Sequence, residues 1–126
     1  MLNELEKEAL EMLLAGDHPA LVTLRKQLDV FVVEDREFTG AGFFTDFHIP
    51  DGAVVTIDAK IHGVFGDVYA DIDSHPHGVG FILFVKDGCM SMLEGYSYGD
   101  GWPPDAKVYN LRYMRDTRNL DGLEWD

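Results

Sequence analysis

A chain of 126 residues that is 46% hydrophobic has the length of one domain and enough apolar side chains for a core, which excludes a disordered chain. Its 23 Asp and Glu against 10 Lys and Arg give a formal net charge of −13, and such a surface repels phosphate backbones and anionic headgroups, so neither nucleic acid nor a membrane is expected as a partner. The single cysteine, Cys89, allows no intrachain disulfide and fits a reducing compartment.

The acidic start of the chain has neither the basic residues nor the apolar stretch of a signal peptide. The longest fully apolar run, Phe81–Val85, is far too short to cross a bilayer. A cytoplasmic location is therefore expected. Residues 3–15 read as a helix, because Leu2, Leu5, Ala9, Met12 and Leu13 recur at helical spacing while Glu4, Glu8 and Glu11 take the outer side. Asn3 and Glu6 have the spacing of a capping box, and Gly16 is a natural stop. A second helix starts at Asp17-His18-Pro19, with Asp17 or His18 as cap, Pro19 in the first turn and Leu21, Leu24 and Leu28 as its buried stripe.

From Val30 the pattern changes to strand. Val30–Val33 is β-branched and aromatic, and a second strand over Phe43–Ile49 follows a turn or bulge at Gly40 and Gly42. Val54–Ile61 reads as another strand, and Gly66–Ile72 alternates as a half-exposed one. Asp73–Gly78 reads as a loop. Residues 78–98 then form a hairpin turning at Lys86-Asp87-Gly88, whose first arm, Phe81–Val85, has no polar face and belongs mid-sheet. Strict alternation in the second arm puts Met90, Met92, Glu94, Tyr96 and Tyr98 on one face. Val108–Met114 is a last strand, with Tyr109, Leu111 and Tyr113 on one side. The expected fold is a single α+β domain over residues 1–126: two N-terminal helices packed on a curved, mostly antiparallel sheet of about six strands.

Two places could carry chemistry. Asp71, Asp73, His75 and His77 would project to one side of an extended segment, which makes them weak candidates for zinc, manganese or iron ligands, although no standard metal motif is present. Glu94 is a lone carboxylate in a row of large apolar and aromatic residues. A buried carboxylate needs a partner, so Glu94 either pairs with Arg112, Arg36 or a tyrosine hydroxyl, or lines a cleft. Tyr96, Tyr98 and Trp102, with Glu94 and Arg112, form a candidate surface for a ligand or partner. No catalytic motif is evident, no cofactor is implied, and Cys89 reads as a small buried residue rather than a nucleophile.

The segments Leu14-Ala-Gly-Asp-His-Pro19, Phe38-Thr-Gly-Ala-Gly-Phe-Phe-Thr45 and Met92-Leu-Glu-Gly-Tyr-Ser-Tyr98 together resemble a group of small uncharacterised bacterial single-domain proteins. That resemblance implies a compact bacterial domain and brings no activity, cofactor or site residue. The leading functional expectation is a non-enzymatic module that binds a basic protein, with toxin-neutralising immunity proteins as an analogy of fold and charge. The alternative is a small-molecule-binding or enzymatic domain with a pocket around Glu94 and Arg112. Homodimer formation through a strand edge or aromatic patch is a third expectation.

Overall fold

The computed structural model describes residues 4–72, 75–97, 109–114, 118 and 120–125, with the backbone alone at 75–77, 109 and 125. Helix α1 (Glu4–Leu13) and helix α2 (Pro19–Arg25) are followed by a 3-10 turn (Lys26–Asp29) and then by strands alone. These are β1 (Val32–Phe38), β2 (Gly42–His48), β3 (Ile61–Ile72), β4 (His75–Lys86), β5 (Cys89–Ser97), β6 (Tyr109–Tyr113) and β7 (Leu123–Trp125). Every pairing is antiparallel, in the order β1-β2-β5-β4-β3-β6, with β7 on the other end of β3's outer edge. The class is α+β, as the sequence leads one to expect.

Local chemistry accounts for the element ends. Pro19 occupies the first turn of α2, and the Ala20 N–H donates to His18 Nδ1 at 3.1 Å, so His18 is the cap. The β4–β5 hairpin turns through Asp87 (φ 51°) and Gly88 (φ 80°), the pair of left-handed residues that matches strand twist in a two-residue hairpin. β3, β4 and β5 form a meander, and β2 joins it beside β5 through the connection 49–60, which gives a Greek key.

Both helices lie on one face of the sheet, here called the inner face. Leu5, Ala9, Leu10 and Leu13 of α1 and Ala20, Leu21 and Leu24 of α2 close over Phe43, Phe47, Phe65, Val68, Phe81, Leu83, Val85 and Leu93. Each such large side chain, fully buried, contributes about 1.5–3 kcal/mol. β4 runs through the middle of the sheet, and its Phe81 and Leu83 meet the helices. Its Ile82 and Phe84 face the other way and are only half-buried, so no described layer covers them fully.

Several expectations change. Val54–Ile61 is not a strand; residues 53–58 are irregular and β3 begins at Ile61, running through Gly63 and Gly66 to Ile72. Asp73–Gly78 is not a loop either, since β4 already starts at His75, opposite Ile72. The described residues hold seven strands, close to the six or so expected, the charged tail supplying β7. The capping-box glutamate, Glu6, turns inward to Arg36, and Asn3 lies outside the described residues. The largest correction concerns β5. A bulge shifts the register so that Phe84 faces Met92 but Val85 faces Met90, leaving Ser91 as the extra residue. Met90 therefore joins the core, while Met92, Glu94 and Tyr96 stay on the outer face. A second bulge, between Phe65 and Val68 of β3, brings Asp67 inside and resets the alternation so that Val68, Ala70 and Ile72 are buried.

Buried polar groups on the inner face are answered one by one. Glu6, 1% exposed, accepts from Arg36 Nη2 and from Thr45 Oγ1, both at 2.6 Å. Asp67 accepts from Arg118 Nε at 2.6 Å and Nη2 at 3.1 Å. The same guanidinium donates to the carbonyls of Leu13 and Ala15, satisfying the C-terminal end of α1, and lies 4.5 Å over the Tyr113 ring. Gln27, fully buried, donates to the Gly88 carbonyl at 2.6 Å and accepts from the Met90 N–H at 2.9 Å, so its amide stands in for a strand neighbour at the hairpin end.

Candidate functional site

The outer face of the sheet is ordered in cross-strand rows. The first row runs Arg112 (β6), Tyr69 (β3), Gly80 (β4), Tyr96 (β5) and Gly42 (β2). The next holds Ile82, Glu94, Phe44 and Glu37, and the third Val64, Phe84, Met92, Asp46 and Asp35. Phe44, Ile82, Phe84, Met92, Glu94 and Tyr96 are all half-buried, and no described helix covers them.

The glycines explain how the aromatic rings lie. A Cβ on Gly80 would stand 2.4 Å from the Tyr96 ring, so Tyr96 lies flat on the β4 backbone. A Cβ on Gly78, at φ 66°, would meet the Tyr69 hydroxyl at 2.4 Å. Gly42 is set by backbone instead: a Cβ there would fall 1.9 Å from the Gly95 carbonyl oxygen. Beside it, Ser97 donates through both its N–H and its hydroxyl to the Ala41 carbonyl at 2.9 Å. Three segments distant in sequence, the turn at Gly40–Phe44, Gly78-Val-Gly80 and Glu94–Ser97, thus converge at one end of the sheet.

The expected partner of Glu94 does not arrive. Arg112 forms a bidentate pair with Asp71 (2.9 and 3.4 Å) and lies 4.3 Å over the Tyr69 ring. It shares the outer face with Glu94, but three strand spacings and a two-residue offset along the strands separate the two residues, about 16 Å. The hydrogen bond and charge of Asp71 raise the pKa of Arg112 further above its ordinary value. Arg36, opposite Thr45 in the β1–β2 register, faces inward and pairs with Glu6. Among the described residues, Glu94 makes no hydrogen bond or ion pair.

Of the metal candidates, Asp71 is held by Arg112, His75 and His77 fall in β4, and Asp73 lies outside the described residues. Among the described residues no group of three or more His, Cys, Asp or Glu side chains is arranged to hold a metal ion. Tyr98 and Trp102 also lie outside the described residues. Burial and the nearby Asp87 push the Cys89 thiol above its ordinary pKa, which makes it a poor nucleophile. No described helix is long and apolar enough to cross a membrane. No protein-family model, curated protein or solved structure matches the chain.

Sequence reasoning singled out Glu94 and the aromatic residues after it but missed Phe44, Ile82, Phe84 and Tyr69, the apolar residues around it. The signal for Phe44 was present, since Phe43-Phe44 in a strand must place one ring on each face.

Proposed function

We propose that this protein is a non-enzymatic recognition module whose outer sheet face docks a protein partner carrying basic and apolar groups. The observation that carries this reading is Glu94. On the inner face the two buried carboxylates, Glu6 and Asp67, each bind an arginine of the chain itself. Glu94 is half-buried among Phe44, Ile82 and Tyr96 and has no such counterpart among the described residues. A carboxylate partly removed from water gains from a cation brought to it, and the apolar residues around it exclude water from that contact. Asp35, Glu37 and Asp46 on the same face, and the net charge of −13, favour approach of a basic partner and disfavour an acidic one. An immunity-type inhibitor of a basic protein is one instance of this class, by analogy of fold and charge.

The alternative, a small-molecule pocket built by Glu94 and Arg112, asks both charges to reach one ligand. Arg112 is already engaged by Asp71, and the spacing between the two residues exceeds what a small ligand bridges, so the partner reading has the better support.

Affinity capture from the native host at low salt tests the proposal, with the wild type and Glu94→Lys compared side by side after both are shown to melt alike. A basic protein retained by the wild type, released by added salt and lost by Glu94→Lys is the expected result. Recovery of nothing at low salt, or equal retention by both proteins, refutes it.

A further inference from the structure

We infer that the cation received by the outer face is an arginine side chain of the partner, its guanidinium laid on the Tyr96 ring and forked to the Glu94 carboxylate. Such a contact rests on the outer-face reading above and specifies the group that face recognises. The chain builds the same unit twice for its own arginines. On the outer face, Arg112 donates to the two Asp71 carboxylate oxygens at 2.9 and 3.4 Å and lies 4.3 Å over the Tyr69 ring. On the inner face, Arg118 donates to the two Asp67 oxygens at 2.6 and 3.1 Å and lies 4.5 Å over the Tyr113 ring. In each unit a carboxylate accepts the forked donors, and the negative face of a tyrosine ring meets the flat cation.

β5 carries the same pair of groups on the outer face. Tyr69 and Asp71 stand two residues apart on β3, and Glu94 and Tyr96 two residues apart on β5, so in both strands the carboxylate and the ring start about 7 Å from one another on one face. β4 lays both rings down. A Cβ on Gly78 would stand 2.5 Å from Tyr69 Cζ, and one on Gly80 2.4 Å from Tyr96 Cζ. Each ring thus turns one face to the β4 backbone and leaves the opposite one for a cation, the place that Arg112 takes at Tyr69. Tyr96 and Glu94 are both half-buried, so part of each is open to solvent, and the contact asks of Tyr96 only the open part of its ring. The described arginines are engaged elsewhere: Arg25 by the carbonyls of Leu14 and Gly16, Arg36 by Glu6, Arg112 by Asp71 and Arg118 by Asp67. Arginine fits this pair better than lysine. A planar guanidinium stacks and forks at once, and it is less strongly hydrated than an ammonium, so it loses less on entering a site flanked by Phe44 and Ile82.

The experiment is a titration of the full chain with two blocked tripeptides of equal charge, Leu-Arg-Leu and Leu-Lys-Leu, followed by nuclear magnetic resonance shifts at low salt. The expected result is saturable binding of the arginine peptide, with shifts centred on Gly80, Glu94 and Tyr96 and an affinity at least about fivefold above that of the lysine peptide. Tyr96→Phe keeps the ring and should bind the arginine peptide within about twofold of the wild type. Tyr96→Leu and Glu94→Gln should each weaken it at least about fivefold. The comparison of the two peptides on the wild type needs no variant, so it decides the matter even where a variant is unstable. Equal affinity for the two peptides, shifts centred away from Glu94 and Tyr96, or undiminished binding by Tyr96→Leu overturns the inference. Capture from the host decides the outer-face reading separately: a basic partner lost in Glu94→Lys, beside equal affinities for the two peptides, removes the arginine and leaves that reading standing.

Discussion

Replacing Arg36 by methionine keeps the aliphatic stem of the side chain and removes the charge that meets Glu6. The Glu6 carboxylate is 1% exposed, and its Oε1 sits 2.6 Å from Arg36 Nη2. Breaking a buried ion pair from one side costs about 3–5 kcal/mol, chiefly because a charge is left in a poorly solvated place. The Arg36 side chain is 27% exposed, so water can enter the space it leaves, and the lower end of that range applies, about 3 kcal/mol. For a domain of this size about 4 °C of melting temperature accompanies each kcal/mol, so a fall of about 12 °C is expected. Urea titration with far-ultraviolet circular dichroism measures the stability, and calorimetry the melting temperature. The triple variant Glu6→Leu, Arg36→Met, Thr45→Val replaces the whole polar cluster by apolar groups and should return to within about 1 kcal/mol of the wild type. A loss below about 1 kcal/mol in Arg36→Met would show that the pair contributes no more than a surface salt bridge, and the reasoning would fail. A triple variant as unstable as the single one would equally refute the argument that the cost lies in the stranded charge.

Three further outcomes follow from the same contacts. Arg118→Ala leaves Asp67 buried without this guanidinium and takes donors from the Leu13 and Ala15 carbonyls, so it should cost about 3 kcal/mol and speed amide exchange around residues 13–17; Arg118→Lys, a point charge in place of a fork, should recover less than half of the loss, and full recovery would contradict this account. Gly42→Ala should destabilise more than Gly80→Ala in chemical denaturation, because the added methyl meets the Gly95 carbonyl of the backbone in the first case and only the movable tip of Tyr96 in the second; equal losses would argue against the close β2–β5 approach. The native Cys89 thiol has a raised pKa, from burial first and Asp87 second, so folding favours its neutral form: that contribution to stability is complete below the unfolded thiol's pKa and is lost as pH rises through the folded value. The pH profile of iodoacetamide alkylation should accordingly be displaced to higher pH in the native protein than in the urea-unfolded chain, and coincident profiles would rule the displacement out.

What the sequence alone determined about this protein is what depends on neighbours a few residues away. The helical stripe of Leu5, Ala9 and Leu13, the Pro19 start of α2, the Asp87-Gly88 turn and the placement of Phe81–Val85 mid-sheet are all set by local periodicity and turn chemistry, and they suffice for the α+β class. The site is another matter. Glu94 was legible as an odd residue, but its surroundings were not, because strand faces beyond a bulge depend on a partner strand's register. The bulge at Met90–Met92 exists only opposite Phe84 and Val85, and without it alternation sends Met90 to the wrong face. Val54–Ile57 has strand composition and is no strand, because a strand also needs a neighbour and no described segment pairs with it there. The pairing of charges was decided last and at longest range. Arg36 meets Glu6 across 30 residues and Arg118 meets Asp67 across 51, and which arginine reaches which carboxylate is settled only when the helices close on the inner face. Tertiary packing thus answered Glu6 and Asp67 from within the chain and left Glu94 on the face the helices do not cover.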